Sequence, residues 1–330
     1  MAYQRRILAT GTAFGVEDNG VWSIADFNGD GPQDLVYIKT RNTGTGRIEV
    51  HGSRNESRFQ EHSLNTGTCF AIEDNGAWLM QDWNGDGKAD LVYINTRNTG
   101  TGTVERFAFQ TGTCFDCEDN GIWTMSRKGD LVFIKTRNCD SKMIEYHVAS
   151  KASNYQQFAT GFGVEDYGTW CLAPKCDGDF ADLYYIKARN TAGMVEVHAV
   201  SASSGWKSRL ISVATFFDPG GNGQWLMADF AHQRQLDLVY IKTRYTGTGK
   251  IEVHVVESQE VVPRTFMHSS RNTRLDSDAV SVLRADFAAK QQLVARCRHR
   301  SQHVPQQHRW QVLLGIEGLP RIGPRNAPQD

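Results

Sequence analysis

Tryptophan recurs along this chain at Trp22, Trp78, Trp123, Trp170 and Trp225, at intervals of 56, 45, 47 and 55 residues, and the text around it recurs as well. An interval of this size marks a repeat architecture, in which each unit buries its apolar face only against its neighbours. The best-kept unit reads GTxFxxEDNGxW, then DxNGDGxxDLVYIK, then TRNTGTGxxEVH, then a variable linker. Short runs rich in Val, Ile, Tyr, Phe and Trp alternate with clusters of Gly, Asn and Asp, and no run has a helical period. In the first unit four strands, a to d, are expected at 21–27, 35–41, 47–52 and 59–64. Four short antiparallel strands per repeat make a β-propeller blade.

Counting blades depends on the two ends. After Trp225 a worn sixth unit is legible, with 280–287 as strand a, Val282 in the tryptophan place, 292–298 as strand b and 310–316 as strand c. Its strand d is missing. Tyr3 to Leu8 precedes ATGTAF just as 59–64 precedes NTGTCF, so the N-terminal segment is expected to complete the last blade and hide the open sheet edge. The expectation is an all-β, six-bladed propeller over residues 1–318, with blades starting near Trp22, Trp78, Trp123, Trp170, Trp225 and Val282, and a tail over 319–330.

Lysine plus arginine (36) and aspartate plus glutamate (37) balance to a net charge of −1, so no basic footprint for nucleic acid or an anionic membrane stands out. No apolar run is long enough to cross a bilayer and no secretion signal is visible, which leads us to expect a cytoplasmic protein or one exported without a signal peptide. The seven cysteines follow no disulfide pattern. Cys114 and Cys117 form a lone CxxC inside a repeat, so free thiols that pack are expected rather than a redox or zinc centre.

The repeated motifs fall on two faces, because antiparallel order puts the d–a and b–c turns on one side and the a–b turn on the other. On the lower face Asp26, Asn28, Asp30 and Asp34 offer oxygen ligands at positions 1, 3, 5 and 9 of DFNGDGPQD, and Asp82, Asn84, Asp86 and Asp90 repeat the pattern. That spacing suits a hard, oxygen-seeking cation, so two structural Ca²⁺ sites are expected. An Asx-rich turn without metal is the plainer alternative. Later blades lose ligands: blade three shortens the loop around Arg127 and Lys128, blade four has Pro174 and Cys176, and blade five has Ala231 and Gln233.

On the upper face the hairpin TRNTGTG of one blade is expected to approach the EDNG loop of the next. Three seams are complete: Arg41 and Asn42 with Glu73, Asp74, Asn75 and Trp78; Arg97 and Asn98 with Glu118, Asp119, Asn120 and Trp123; and Arg137 and Asn138 with Glu165, Asp166, Tyr167 and Trp170. A fourth keeps Arg189, Asn190 and Trp225. Planar polar groups beside an aromatic face suit a sugar, whose hydroxyls want paired hydrogen bonds and whose C–H face wants an apolar cover. Within each hairpin, Lys39 is expected opposite Glu49 as a cross-strand ion pair, with Lys135/Glu145, Lys187/Glu196 and Lys242/Glu252 as its counterparts.

EDNGxW together with DWNGDGKADLVYINTRNTGTG resembles the fungal propeller lectins of the Psathyrella velutina type, which are related to the FG-GAP repeats of integrin α-chains. The resemblance covers blades one to five. It implies a multivalent lectin that binds glycans or glycoproteins carrying non-reducing terminal N-acetylglucosamine, with sialic acid as a second ligand, in pockets between adjacent blades. The pockets carry over to the three complete seams above. The alternative is an integrin-like protein-interaction propeller. An enzyme would need one singular convergent constellation, whereas polar groups repeated around a ring suit repeated binding, so no catalysis is expected.

Overall fold

The computed structural model describes residues 2–106, 111–126, 129–149, 155–173, 180–231 and 236–259, and the strands 270–276, 281–287, 292–298 and 311–316. The loop residues Arg127, Lys128, Pro174, Cys176 and Gln233, and the 319–330 tail, lie outside the described residues. Among the described residues no helix is long and apolar enough to cross a membrane.

Strand β1 (Ala2–Gly15) precedes the first repeat. Blade one is the meander β2 (Gly20–Ala25), β3 (Asp34–Lys39), β4 (Arg47–Ser53) and β5 (Leu64–Ala71). Blade two is β6 (Gly76–Gln81), β7 (Asp90–Asn95), β8 (Thr103–Arg106) and β9 (Thr111–Asp116). Blade three is β10 (Gly121–Met125), β11 (Leu131–Lys135), β12 (Met143–Ala149) and β13 (Tyr155–Gly163). Blade four is β14 (Gly168–Ala173), β15 (Asp182–Lys187), β16 (Glu196–Val200) and β17 (Arg209–Ala214). Blade five has β18 (Gly223–Ala228), β19 (Asp237–Lys242) and β20 (Lys250–Gln259), and its fourth strand is β1.

Neighbouring blades cover both faces of the central strands, which is why β3 and β19 read as the continuous run DLVYIK and not as an alternation. Each repeat's tryptophan is at most 6% exposed. It stacks on the aromatic residue opposite it, Tyr37, Tyr93, Phe133, Tyr185 or Tyr240, with ring centres 4.1–4.3 Å apart. Its other contact is the edge of a phenylalanine from the preceding blade, Phe14, Phe70, Phe115, Phe162 or Phe217, at 5.0–5.1 Å. Such aromatic pairs add about 0.5–1.5 kcal/mol each beyond the area they bury. The tryptophans therefore pack the seams, and each of the five seams carries its own apolar cluster.

The ring closes at five blades. The innermost strands β2, β6, β10, β14 and β18 touch in succession and β18 touches β2, where the Trp22 N–H donates to Gln224 Oε1 at 3.1 Å. Antiparallel to β20, β1 runs from Ala2 opposite Gln259 to Gly15 opposite Lys250. Tyr3 is fully buried, its hydroxyl donates to the Leu236 carbonyl at 3.1 Å, and its carbonyl accepts the Phe216 N–H at 3.0 Å. Both the six-bladed count and the placement of Tyr3 to Leu8 on the worn sixth unit are thereby corrected, since the segment completes blade five. The physical reason is that β1 carries Tyr3 into the blade four–five cluster and Ile7, Leu8 and Phe14 into the blade five–one cluster.

Residues Val261–Asp330 form a second compact unit, so the chain divides near residue 260 and not near 318. This unit is an antiparallel sheet of β21 (Ser270–Asp276), β22 (Ser281–Phe287), β23 (Gln292–Arg298) and β24 (Gln311–Ile316), in that order. The last three match the strands expected for the worn repeat.

Strand d of blade one is also displaced, from the expected 59–64 to Leu64–Ala71. The chain first makes a short 3₁₀ turn at Asn55–Ser57, and Arg58 and Phe59 then adopt left-handed φ values of 51° and 63°. Phe59 is thereby sunk into the blade five–one cluster, and its carbonyl accepts the Ala13 N–H at 2.7 Å. Blade four repeats the device: Trp206 has φ 60° and its carbonyl accepts the Gly161 N–H at 2.7 Å.

Candidate functional site

The EDNG loops and TRNTGTG hairpins share a face, but each hairpin docks on the loop of its own blade. The Thr40 and Arg41 N–H groups donate to the Asn19 carbonyl at 2.8 and 2.9 Å, the Arg41 guanidinium to the Asp18 carbonyl at 2.8 Å, and Asn42 Nδ2 to Asn19 Oδ1 at 3.2 Å. Arg97 likewise donates to the Asp74 carbonyl, and Asn98 to Asn75 Oδ1 at 3.1 Å. Arg137 reaches the Asp119 carbonyl at 2.6 Å, Arg189 that of Asp166 at 2.9 Å, and Arg244 that of Gly221 at 2.8 Å. The expected partnerships are thus shifted by one blade. The turn before strand a and the turn after strand b are neighbours in one sheet, and that adjacency is shorter than any reach across a seam.

One contact does cross a seam as expected, Arg137 to Asp166 at 3.8 Å, with both side chains more than half exposed at 52% and 66%. An exposed pair of that kind contributes little. Asn42, Asn98, Asn138 and Asn190 all sit at φ 51–53°, a left-handed turn position that asparagine tolerates better than most residues. The TRN motif therefore has a local conformational cause.

What the seam between blades five and one does hold is a cavity of about 300 Å³. Phe14 and Gly15 of β1, Glu17 of the following loop, Trp22, Tyr37, Lys39 and His51 of blade one, and His62 and Asn65 at its outer edge line it. His62 meets the edge of Phe14 at 4.6 Å. The pocket thus offers an aromatic wall, one carboxylate, one ammonium, two imidazoles and an amide. Trp22 was legible as a seam residue, whereas His62 and Asn65 were hidden in the variable linker and Phe14 in the GTxF run.

The Lys–Glu ladder has the expected register, with Lys39 opposite Glu49 and the other three pairs likewise. The ion pairs differ. Lys39 meets Glu17 at 2.9 Å, Lys135 meets Glu118 at 3.0 Å, and Lys187 meets Glu165 at 2.9 Å. Only Lys242 turns to its cross-strand Glu252, at 3.9 Å, and blade five has Gly220 where the other loops have glutamate. The cross-strand carboxylates are held otherwise. Burial pushes the Glu49 carboxyl upward, but the Thr45 N–H, Thr45 hydroxyl and His51 outweigh it and leave it below the usual range. His51, His147, His198 and His254 each bring Nε2 within 3.0–3.2 Å of the glutamate two residues earlier.

On the opposite face, the carboxylates of Asp26, Asp30 and Asp34 lie within 4.8 Å of one another, the one such group of three among the described residues. Asp26 is anchored by the Gly29 and Gly31 N–H groups at 2.7 and 2.8 Å, and Asn28 Nδ2 donates to Asp30 at 2.6 Å. Asp34 is 1% exposed: its Oδ1 accepts the Asn55 N–H at 2.9 Å, while its buried Oδ2 has no hydrogen-bond partner. Burial pushes the carboxyl up to about 6. A buried carboxylate with one unpartnered oxygen, close to two further carboxylates, is the donor set a hard cation would satisfy. Blade two repeats the anchoring of its first aspartate, Asp82 accepting from Gly85 and Gly87 at 2.8 and 3.1 Å, and the Asn84–Asp86 bond at 3.1 Å, but differs at the ninth position, where Asp90 Oδ2 accepts the Trp83 and Asn84 N–H groups at 3.0 and 3.3 Å.

Compared with known proteins, the chain matches no family model and no curated protein.

Proposed function

We propose that the five-bladed ring is a multivalent carbohydrate-binding module that takes single terminal sugars into its inter-blade seams. The observation that supports this most is the blade five–one cavity, whose volume of about 300 Å³ fits a small polar ligand and whose wall combines Phe14 and Trp22 with Asn65, His51, Glu17 and Lys39. The likeness of the repeat to fungal propeller lectins makes terminal N-acetylglucosamine the first ligand to try and sialic acid the second. Polar groups recur around the ring, so avidity on a glycan-coated surface replaces high affinity at any one site. The Asp26, Asp30 and Asp34 loop is proposed as a structural Ca²⁺ site that braces the blade-one hairpin, and Asn28 through its side-chain oxygen is a fourth candidate ligand.

A glycan array read with and without chelator tests the reading. Binding to terminal N-acetylglucosamine that falls when Lys39→Met and Asn65→Leu are introduced together supports it. Silence across the array from a folded protein overturns it. One observation favours a protein-binding alternative: Val16, Ile72 and Val164, at corresponding places in three loops of one face, are 48%, 46% and 46% exposed. In that case a pull-down partner would be lost when the three are changed to serine.

A further inference from the structure

The seams of blades one, three and four share the Trp–aromatic stack, with Phe133 in blade three where the others have Tyr37 and Tyr185, and they differ at one outer residue. There, a residue at the start of the blade's own outer strand, or two residues before it in blade one, lays its side chain against the phenylalanine of the preceding blade. In blade one it is His62 against Phe14, and in blade four it is Arg209, 5.7 Å from the Phe162 ring centre. In blade three it is Tyr155, edge-on to Phe115 at 5.4 Å. Arg209 reaches inward only as far as Ser212, at 3.4 Å, and Ser212 holds His198 Nδ1 at 3.1 Å, whereas Tyr155 reaches the histidine itself. Its hydroxyl meets His147 Nδ1 and lies 3.3 Å from Gln157 Oε1, while Gln157 donates to Glu145 at 3.1 Å.

Coverage follows from that contact. The His147 side chain is 5% exposed, against 18% for His51, 14% for His198 and 19% for His254 in the same place in their blades. His51 borders the blade five–one cavity, so its counterpart His147 marks where the corresponding space in blade three would open. A phenol held against an imidazole and an amide makes the hydrogen bonds a sugar hydroxyl would make. Tyr155 itself is 41% exposed, so it covers the seam from outside.

We propose that Tyr155 is a built-in stopper for the blade-three seam, and that the residue entering the outer strand, not the EDNG or TRNTGTG motif, decides which seams accept a ligand. The ligand half of this rests on the carbohydrate reading above; the covering of His147 does not. Blade one, with the shorter His62, is an open seam, and blade three, although complete in its repeat motifs, is a closed one.

The test pairs two readouts on the full chain. Footprinting with a histidine-acylating reagent should modify His147 severalfold more slowly than His51 in the native protein, and Tyr155→Ala should bring His147 to the rate of His51. Calorimetric titration with N-acetylglucosamine should gain one site in Tyr155→Ala. The reverse exchange, His62→Tyr, should protect His51 and cost one site, which keeps the question open to an answer should Tyr155→Ala fold poorly. Equal reactivity of His147 and His51 in the native protein overturns the stopper. Release of His147 without a gained site, in a protein whose native form does bind the sugar, overturns the link to ligand access. If the native protein binds no N-acetylglucosamine, the carbohydrate reading falls, and His147 reactivity alone then upholds or overturns the stopper.

Discussion

Lys39 bonds to Glu17 at 2.9 Å and leaves Glu49, the residue facing it across the sheet, to Thr45 and His51. Blade five shows what happens without that partner, because Gly220 stands in the loop and Lys242 falls back on Glu252 at 3.9 Å. Gly220→Glu should therefore be tolerated and mildly stabilising. A side chain there meets nothing nearer than Asn222 Nδ2 at 4.0 Å. The gain should be at most about 1 kcal/mol, the range of partly exposed ion pairs, and should shrink in high salt. Urea midpoints at two salt concentrations check it; a loss of stability would mean that Lys242 does not exchange partners.

Calcium should stabilise the native ring and leave Asp34→Asn unmoved. Ligand linkage predicts about 2.7 kcal/mol at a hundredfold excess over the dissociation constant. In chelator the order should reverse. The substituted amide would keep the bond from the Asn55 N–H while removing a buried carboxylate whose desolvation and repulsion from Asp30 and Asp26 outweigh the attraction of Arg54, so the variant should match or exceed the native protein. Thermal melts in the two conditions separate the cases.

Acid should weaken the ring in two stages. Burial lowers the pKa of His147, His198 and His254 below the usual 6.5, so these groups bind protons more readily unfolded, and stability should fall as pH drops below about 6.5. The carboxyls of Glu49, Glu145 and Glu252 are held below 4.5 despite their burial, which places a second loss below about 4.5. Urea midpoints should hold from pH 8 to about 6.5 and decline below it, more steeply in Asp34→Asn, which lacks the opposing titration of a carboxyl that burial raises to about 6, and His147→Gln should flatten the upper stage. A midpoint constant from pH 7 to pH 5 in Asp34→Asn would contradict the first stage.

Tyr3→Ala should cost about 3–5 kcal/mol, the range for truncating a buried aromatic, with a hydrogen bond to Leu236 lost as well. Tyr245→Ala, at a residue 85% exposed, is the control and should cost almost nothing. Chemical denaturation of both variants measures the contrast.

The repeat made the blade architecture readable because five tryptophans, five b strands and the hairpins follow one pattern. The count of blades was not readable, since it depends on which sheet edge captures β1, and YQRRIL would pair with any exposed strand c. The buried pairing of Tyr3 with its Leu236 acceptor decides it, through contacts between residues far apart in sequence. The partner of each arginine failed for a related reason: spacing along the chain places Arg41 and Asp74 on one face, but only the sheet shows that Asp18 is nearer. His62 and Tyr155 were illegible because they occupy the variable linker, where no repetition singles them out.

The pairing of Ala2 with Gln259 also sets a timetable. Nearly 260 residues separate β1 from the end of its partner, so on a ribosome β1 waits while four complete blades stack before β20 emerges. During that wait the outer edge of β20 is the last site to be filled, and a β1 from another chain would fit it equally well. Crowded synthesis on one message is thus the circumstance in which this ring is most exposed to exchanging strands between copies.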